Sequence, residues 1–238
     1  MCTINVAVSR FEPNSLVVWA NRDEALDRPW GPPRVIDGVL APVDLVAGGT
    51  WIGVNRAGVF AGLTNRFTGP PDPSRASRGA LVHHVLKHDS LSGAVDEALR
   101  INARAYNPFH LVLATSERAA VVWSDGSELH QHDPGSLFAV HERSFGAAPS
   151  ERQDYLDDIL PTLHKPDDDS LLRILSRHHD PTLDGMCVHW DAHNYGTRSS
   201  TVLRLGQTVR YLWTEGRPCT TTPTDDSSVL QGLLSEGA

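Results

Sequence analysis

The feature that most constrains the fold is the pairing of short apolar, β-branched runs across tight turns. Residues 4–8 and 15–21 are two such runs, separated by the turn sequence EPN. Residues 50–54 and 59–63 flank a second turn, NRAG. Strands joined this closely pair antiparallel, so the sequence predicts sheets built from hairpins.

Helical patterns come in pairs between the strands. Ser77 is a suitable N-cap, and apolar residues follow it at helical spacing. This order predicts an α+β fold, with antiparallel sheets covered by helices rather than a doubly wound parallel sheet. The predicted helices are residues 77–88, 92–103, 151–160 and 168–176, and the further strands are residues 108–115, 119–124, 136–140, 199–205 and 208–213.

Three segments are predicted to lie outside regular structure. Residues 28–33 (RPWGPP) and 68–74 (TGPPDPS) are rich in proline and glycine. The tail from about residue 218 is polar and is expected to be loosely held. Because no internal repeat, low-complexity linker or charge block interrupts the chain, we predict a single domain over residues 1–238.

Composition excludes several classes of partner. The chain has 21 Lys and Arg against 29 Asp and Glu, and this net charge of −8 argues against a nucleic-acid partner. No apolar run reaches the roughly 18 residues of a membrane span, and the N-terminus lacks a basic leader, so we expect a cytoplasmic protein with no transmembrane segment. Three cysteines without a CxxC pair predict a reducing compartment, no disulfide framework and no thiolate zinc site.

Cys2 follows the initiator methionine directly. Removal of Met1 would expose the α-amine of Cys2, whose pKa of about 8 suits a general base near neutrality. One residue would then supply both a thiol nucleophile and its base. The alternative is ordinary, since a lone cysteine in a terminal strand is usually a small buried hydrophobe.

The first hairpin should bring polar residues to Cys2. The second strand ends in the sequence NRDE, and an antiparallel return places it beside the start of the first strand. Arg22 would favour the thiolate there, and Asp23 could hold the ammonium. Four consecutive polar residues at a strand end need partners if they are buried, although a plain turn would look the same.

Two other strand ends carry groups suited to acyl transfer. Asn65 ends the strand GLTN, where a side-chain amide could donate to an oxyanion, or could equally be a turn residue. Arg198 precedes a late strand and could bind a substrate carboxylate with its fork of donors, or pair with an acidic neighbour.

The twelve histidines do not define a metal site. His84 and His88 are one helical turn apart, and residues 177–180 and 189–193 are dense in histidine. No HExxH motif occurs, and spacing fixes no third ligand. A single exposed histidine would suffice to bind haem, so the count does not discriminate. We therefore predict no metal site and no cofactor.

A set of motifs in a fixed order resembles a known family. Between residue 2 and about residue 202 the chain reads MCTI, ANRDE, RP, GGTWIGVN, GLTN, SRG, YNPF and GTRSSTV. This order resembles the NRDE family, also called the transport and Golgi organisation protein 2 family. The resemblance implies the fold of N-terminal nucleophile (Ntn) hydrolases, a four-layer α/β/β/α sandwich distantly similar to the cholylglycine hydrolase and penicillin acylase group.

The resemblance also implies roles for particular residues. Cys2 would be nucleophile and base, Asp23 would orient its amine, and Arg22 would tune the thiolate. Asn65 would form the oxyanion hole, and Arg198 would correspond to a late arginine of the acylases. The residues expected to contact substrate are Asn21, Trp51, Arg66 and Glu142.

The chain departs from the acylase pattern in two places. The acylases read Arg-Asn-x-Asp where this chain reads Asn21-Arg22-Asp23-Glu24. The second departure is the more important. After the strand ending LFAV a second asparagine is expected, and His141 and Glu142 stand there instead. An ionised glutamate accepts hydrogen bonds only and cannot donate to an oxyanion. Either another group takes that role or hydrolysis is impaired.

Two functions follow from these observations. The first is an amidohydrolase that cleaves a linear, non-peptide amide of a small molecule through an acyl-enzyme on Cys2. The alternative is a non-catalytic carrier on the same fold that binds haem or an acyl-coenzyme A thioester, because the family is also implicated in haem trafficking and acyl-lipid metabolism. No pattern in the sequence sets the oligomeric state.

Overall fold

Two antiparallel sheets form the centre of the molecule. The computed structural model describes residues 2–178 and 183–237. The first sheet has the order β10-β1-β2-β12-β13-β14, with β11 also paired to β12, and the second has the order β3-β4-β5-β6-β7-β8-β9. The strands are β1 Cys2–Val8, β2 Leu16–Ala25, β3 Trp30–Ile36, β4 Val39–Asp44, β5 Ile52–Asn55, β6 Phe60–Asn65, β7 Phe109–Ala114, β8 Ala119–Ser124, β9 Leu129–His132, β10 Leu137–His141, β11 His189–Trp190, β12 Tyr195–Leu205, β13 Arg210–Glu215 and β14 Thr224–Asp225.

Helices cover the outer face of each sheet, which confirms the predicted α/β/β/α sandwich. α1 and α2 pack on the second sheet, α3 and α4 pack on the first, and α5 contacts β13 and β4. The helices are α1 Ala80–Val85, α2 Leu91–Ala98, α3 Glu151–Ile159, α4 Asp168–Leu175 and α5 Ser227–Ser235.

Alternation along the strands divides the core into three layers. In β1, Ile4 and Val6 face the other sheet, whereas Ala7 faces α3 and α4. In β2, Val18 faces the other sheet and Trp19 faces the helices. Each strand of this central pair is therefore buried on both faces, and its polar residues have no solvent-facing side.

The structure corrects the prediction that residues 28–33 form a loop. β3 begins at Trp30 and is an edge strand of the second sheet. Its pairing with β4 shifts between Gly31 and Arg34, across the two prolines. Proline lacks an N–H donor and is tolerated at an edge or a bulge, which is why a strand can contain this sequence. The sequence analysis also missed β4 and β9.

The C-terminal tail is ordered rather than loosely held. It contains β14 and α5, and Leu230 and Leu233 of α5 are buried in the core between the sheets. The polar residues of the surrounding tail concealed these apolar positions, which also include the partly buried Leu234. The first predicted helix is also shorter than expected: α1 has six residues and its N-cap is Gly79 rather than Ser77.

Within the described residues, none of the helices combines the length and the apolar character needed to cross a bilayer.

Candidate active site

The first hairpin determines where Cys2 lies. β1 and β2 pair with Cys2 opposite Arg22 and Thr3 opposite Asn21, which confirms that the end of the second strand approaches Cys2. Paired residues share a face, and successive residues alternate. Cys2 and Arg22 lie on the side between the sheets, which we call the cavity face. Thr3, Asn21 and Asp23 lie on the side of α3 and α4, which we call the helix face.

A cavity of about 430 Å³ opens at the cavity face. A volume of this size suits a small-molecule ligand. Cys2 and Arg22 line the cavity from the first sheet, and Trp51 and Asn65 line it from the second, so both sheets contribute to one site. Charged residues of both signs complete the wall: Asp23, Glu24, Arg28, Asp44, Asp72, Arg75 and Arg78.

Arg22 is a buried cation with spare hydrogen-bonding capacity. Its Nη2 lies 3.5 Å from Glu24 Oε2 and 3.8 Å from Asp44 Oδ2. Its Nη1 has no hydrogen-bond partner among the residues that the structure describes. A buried donor left unpaired costs about 1–3 kcal/mol, so this atom is well placed to receive an oxygen of a ligand.

The thiol of Cys2 requires a base before it can act as a nucleophile. Burial raises the pKa of Cys2, and the nearby carboxylates of Asp23 and Glu24 also raise it, while Arg22 lowers it. The net effect keeps the thiol protonated at neutral pH. Because the thiolate is the reactive form, a neighbouring proton acceptor has to take the proton.

The second sheet contributes two further groups to the cavity. Asn65 is the last residue of β6 and is exposed, so its amide can reach a ligand. Trp51 is 7% exposed, and its Nε1 is unpaired within the described part of the chain. Both groups are donors, which is the polarity that a carbonyl oxygen or an oxyanion needs.

Asp23 connects the cavity to the helix face. It is 2% exposed, its Oδ1 accepts a hydrogen bond from Thr197 Oγ1 at 2.7 Å, and its Oδ2 accepts one from Arg152 Nη1 at 3.3 Å. Burial raises the pKa of Asp23, and the charge of Arg152 and the bond from Thr197 oppose that rise. The carboxylate is therefore held in one orientation by two different elements.

Arg152 is a site residue that the sequence analysis missed. It is 1% exposed, and its Nη1 also donates to Thr3 Oγ1 at 2.7 Å, while Nη2 donates to the Leu183 carbonyl at 2.7 Å. A signal was present: Arg152 stands one helical turn before Leu156 and so shares the buried face of α3. A charged residue on an apolar helix face needs a buried partner.

Glu142 lies beside this arginine. It is 4% exposed, and its Oε2 is 3.6 Å from Arg152 Nη1 and 3.8 Å from His141 Nδ1. Burial acts to raise the pKa of Glu142, but the positive charge of Arg152 and the contact with His141 lower it to about 2. The side chain is ionised at neutral pH and cannot donate to an oxyanion.

The structure corrects the expectation that Asn21 contacts substrate. Asn21 is completely buried on the helix face and is absent from the cavity wall. Its Nδ2 donates to the carbonyls of Leu175 and Met186 at 2.9 and 2.7 Å, and its Oδ1 accepts from Ser200 Oγ at 2.6 Å. Its side-chain donors join β2 to α4 and to the segment before β11, and its acceptor joins β2 to β12.

Arg66 and Glu142 lie next to the cavity rather than in it. Both line a smaller pocket of about 160 Å³ that shares Asn65 with the cavity. The Arg66 guanidinium lies over the Trp123 ring at 4.7 Å and donates to the Phe145 carbonyl at 3.1 Å. At least one N–H donor of the Arg66 guanidinium is therefore already used in a hydrogen bond within the protein.

Arg198 is also outside the set of residues that line the cavity. It sits at a bulge, where the pairing of β12 with β2 shifts between Thr197 and Ser199. Its Nη2 donates a hydrogen bond at 3.4 Å to the carbonyl of Arg28, which is a residue of the cavity wall. A direct role in binding a carboxylate stays a prediction.

His84 and His88, which the sequence places four residues apart, both contact the carboxylate of Glu97. His84 Nε2 lies 2.5 Å from Glu97 Oε1, and His88 Nε2 lies 3.6 Å from Glu97 Oε2. The two histidines therefore share one carboxylate as a partner. Of the histidine-dense residues 177–180, residues 179 and 180 lie outside the described residues, as does Met1.

Sequence comparison identifies a family and relatives that match part of the chain. A family model described as Transport and Golgi organisation 2 matches residues 1–144. The mouse Transport and Golgi organization 2 homolog is 33% identical over 105 residues, and the human homolog is 34% identical over 105 residues. Each match covers 42% of this chain and 38% of the relative, so less than half of each relative's length is represented.

Structural comparison finds the same architecture in amide hydrolases. The Caenorhabditis elegans ortholog of N-acylethanolamine-hydrolyzing acid amidase has a TM-score of 0.61 at 16% identity, covering 85% of this chain and 92% of that chain. Penicillin V acylase from Agrobacterium tumefaciens has a TM-score of 0.61 at 17% identity, covering 95% and 86%. A variant of conjugated bile acid hydrolase from Clostridium perfringens has a TM-score of 0.61 at 14% identity, covering 96% and 93%. These likenesses show a shared fold.

Proposed function

This chain belongs to the Transport and Golgi organisation 2 family and has the fold of the Ntn hydrolases, and on that premise we propose that it cleaves a small-molecule amide. The observation that carries the proposal is the position of Cys2 in the wall of a cavity that Arg22, its strand partner, and Asn65 also line. The scissile bond would be a linear, non-peptide C–N bond. The fold alone would not justify this proposal, since one fold supports many functions.

Cys2 would act as both nucleophile and base. After removal of Met1, the free α-amine would have a pKa of about 8 and could take the thiol proton. The α-amine would supply the proton acceptor that the Cys2 thiol requires because its pKa is raised. Asp23, held by Thr197 and Arg152, would orient the resulting ammonium.

The reaction would proceed through a thioester. The α-amine takes the thiol proton, the sulfur attacks the amide carbonyl carbon, and the carbonyl oxygen becomes an oxyanion. The Asn65 amide would donate to that oxyanion. Collapse breaks the C–N bond, and the α-ammonium returns its proton to the leaving amine. Water then hydrolyses the thioester with the same amine as base, which releases the acid.

The cavity supports a ligand with an oxygen-rich polar end. Arg22 Nη1 and Trp51 Nε1 are buried donors with no partner in the described part of the molecule. Both are available to an oxygen of the substrate near the reacting carbonyl.

The free state of all three cysteines supports a reducing compartment, and we expect the protein to act in the cytoplasm.

Intact mass spectrometry with a thiol-directed electrophile tests the proposal. Mature protein should lack Met1, and one equivalent of probe should map by peptide analysis to Cys2 rather than to Cys187 or Cys219. Cys2→Ala should abolish both this label and the turnover of linear amides, while Asn65→Ala should keep the label and lose turnover. Complete retention of Met1 in the native protein would rule the mechanism out, because the Cys2 nitrogen would then be a peptide nitrogen.

One observation favours a second function, that of a non-catalytic carrier for haem or an acyl-coenzyme A thioester. The ionised Glu142 stands where the acylase pattern has an amide donor, and an anion there disfavours an oxyanion. A carrier should bind haem or an acyl-coenzyme A saturably and equally well in wild type and in Cys2→Ala. Absence of a haem spectral shift, together with no competition from the thioester, would remove this candidate.

A further inference from the structure

A second cluster of reactive side chains lies away from the cavity. It consists of His178, Cys187, His189 and Cys219, which come from three separate stretches of the chain. Cys187 Sγ and Cys219 Sγ are 3.6 Å apart. His189 Nε2 is 3.5 Å from Cys187 Sγ and 3.2 Å from Cys219 Sγ. Three potential ligand atoms therefore converge on one point.

These three separations match the edges of a tetrahedral zinc site. With Zn–S bonds of about 2.3 Å and Zn–N bonds of about 2.0–2.1 Å, a tetrahedron has an S···S edge of about 3.8 Å and S···N edges of about 3.6 Å. The observed separations are all within a few tenths of an ångström of these edges. A disulfide would bring the sulfurs to about 2.0 Å, well inside their present separation.

His178 lies beside His189 and Cys219 and is the candidate for the fourth ligand, although Cys187 is not part of the group of close ligand atoms that includes His178. Its ring stacks on the His189 ring with centroids 4.3 Å apart, and ligand atoms of His178, His189 and Cys219 all lie within 4.8 Å of one another. His178 Nδ1 lies 3.0 Å from the Ser176 carbonyl, which can only accept, so Nδ1 carries the proton. In the neutral ring, Nε2 then has the lone pair that a metal would bind. The hydrogen bond from Nδ1 to the Ser176 carbonyl orients the ring, as hydrogen bonds to the second ring nitrogen do in known metal sites.

We propose that His178, Cys187, His189 and Cys219 form a structural zinc-binding site. Two thiolates and two neutral imidazoles would balance the charge of Zn²⁺ and complete four coordination. Cys187 is 1% exposed whereas His178 is exposed, so the metal would enter from the His178 side. Binding would displace the two thiol protons to solvent.

The site would fasten the segment that supports Asp23. Cys187 N donates a hydrogen bond to the Arg177 carbonyl at 2.8 Å. This bond joins the segment that contains Cys187 and His189 to the segment that contains His178. The next residue, Val188, donates its N–H to Thr197 Oγ1 at 2.8 Å, and Thr197 Oγ1 donates to Asp23 Oδ1 at 2.7 Å. The cluster is thus two hydrogen bonds from Asp23, and none of its four residues lines the cavity that contains Cys2.

The spacing explains why the sequence analysis expected no such site. The two cysteines are 32 residues apart, and neither belongs to a CxxC pair. They meet because the pairing of β11 with β12 and of β12 with β13 brings the chain back to the same edge of the sheet. The proposal departs from that expectation.

Metal analysis of the reduced full-length chain tests the proposal. The protein is stripped with a chelator, supplied with Zn²⁺ alone, and desalted, and zinc per chain is measured by plasma mass spectrometry. We expect one equivalent in wild type, and a tetrahedral thiolate absorption spectrum when Co²⁺ replaces Zn²⁺. Cys2→Ser, which removes the remote thiol, should retain the full equivalent.

Variants of the ligands separate binding from folding. Cys219→Ser and His189→Ala should lose the bound zinc and the cobalt spectrum. Should Cys219→Ser fail to fold, His178→Ala at an exposed position should fold and bind zinc at least about 10-fold more weakly. A folded, reduced wild-type protein that takes up no zinc would overturn the proposal, as would a native protein whose mass and peptide map show a Cys187–Cys219 disulfide.

Discussion

The two faces of the first hairpin handle polar residues in opposite ways. On the helix face, Asn21 uses its donors and its acceptor within the fold, and both oxygens of Asp23 are hydrogen-bonded. On the cavity face, Arg22 Nη1 is buried and has no partner in residues 2–178 and 183–237. Neighbouring residues of β2 therefore have different roles: Asn21 and Asp23 bond within the fold, whereas Arg22 keeps a donor at the cavity that is free within the described part of the chain.

This difference separates support from binding. A buried polar group that has all its partners stabilises one conformation, and removing it exposes the partners' unsatisfied groups. A buried group with a spare donor at a cavity is ready for a ligand. We therefore expect substitutions on the helix face to lower the free energy of unfolding, and substitutions on the cavity face to change chemistry with little loss of stability.

The largest effect is expected on the helix face at Arg152. Arg152→Met would leave Asp23 and Glu142 as buried carboxylates without their cation, which typically costs about 3–5 kcal/mol. Urea unfolding followed by circular dichroism measures this loss. The matched control is Arg100→Met, because Arg100 is 69% exposed, and it should change stability by less than about 0.5 kcal/mol. Equal stability of the two variants would contradict the assignment of Arg152 as support.

The next effect concerns pH. The pKa of Glu142 is about 2 in the folded protein, below the ordinary value of 4.5, so its ionisation stabilises the fold above about pH 4.5. That contribution is lost as the pH falls from about 4.5 towards 2. Glu142→Gln should be less stable than wild type at neutral pH, by up to about 3 kcal/mol, and the two should converge in acid.

The measurement is the difference in unfolding free energy between the two proteins as a function of pH. Glu117→Gln, at an exposed glutamate, controls for the removal of one carboxylate. A constant difference between wild type and Glu142→Gln from neutral pH to pH 2 would show that the Glu142 charge does not stabilise the fold.

Asn21 lies within β2 on the helix face, and Asn65 ends β6 in the cavity wall, so these two asparagines compare a supporting position with a binding position. Asn21→Ala leaves the carbonyls of Leu175 and Met186 without their donor and should cost about 1–3 kcal/mol. Asn65→Ala, at an exposed position, should cost less than about 0.5 kcal/mol. Thermal unfolding of both variants tests the pair, and the reverse order would refute the division into supporting and binding faces.

The smallest effect is expected at Arg22, and it is chemical. The positive charge of Arg22 lowers the pKa of Cys2, so Arg22→Met should raise that pKa and slow alkylation of Cys2 at neutral pH. A rise of one pKa unit corresponds to a rate about 10-fold lower. Stopped-flow labelling across pH measures both quantities. Arg34→Met, at an exposed arginine of β3, is the control and should leave the labelling rate unchanged.

Local pattern was sufficient for most elements and for the approach of NRDE to Cys2. Tight turns force neighbouring strands into antiparallel pairs, so residues adjacent in a hairpin can be placed without knowing the rest of the fold. The same reasoning failed at β3, because a bulge at the sheet edge accommodates prolines that normally exclude a strand. It failed again at α5, where Leu230, Leu233 and the partly buried Leu234 anchor a short helix in a tail of mostly polar residues.

The remaining site residues depend on contacts between distant parts of the chain. Arg152 meets Asp23 across 129 positions, and Cys187 meets Cys219 across 32. Nothing in the local sequence specifies which buried cation neutralises which carboxylate, since that choice depends on how the helix layer packs on the sheet. The amino-acid order thus sufficed for the two-sheet architecture and the place of Cys2, because turn chemistry and alternation act over a few residues. The division of β2 into a supporting and a binding face arose only from tertiary packing, because the partners that satisfy Asn21 and Asp23 come from the helix layer and from β12.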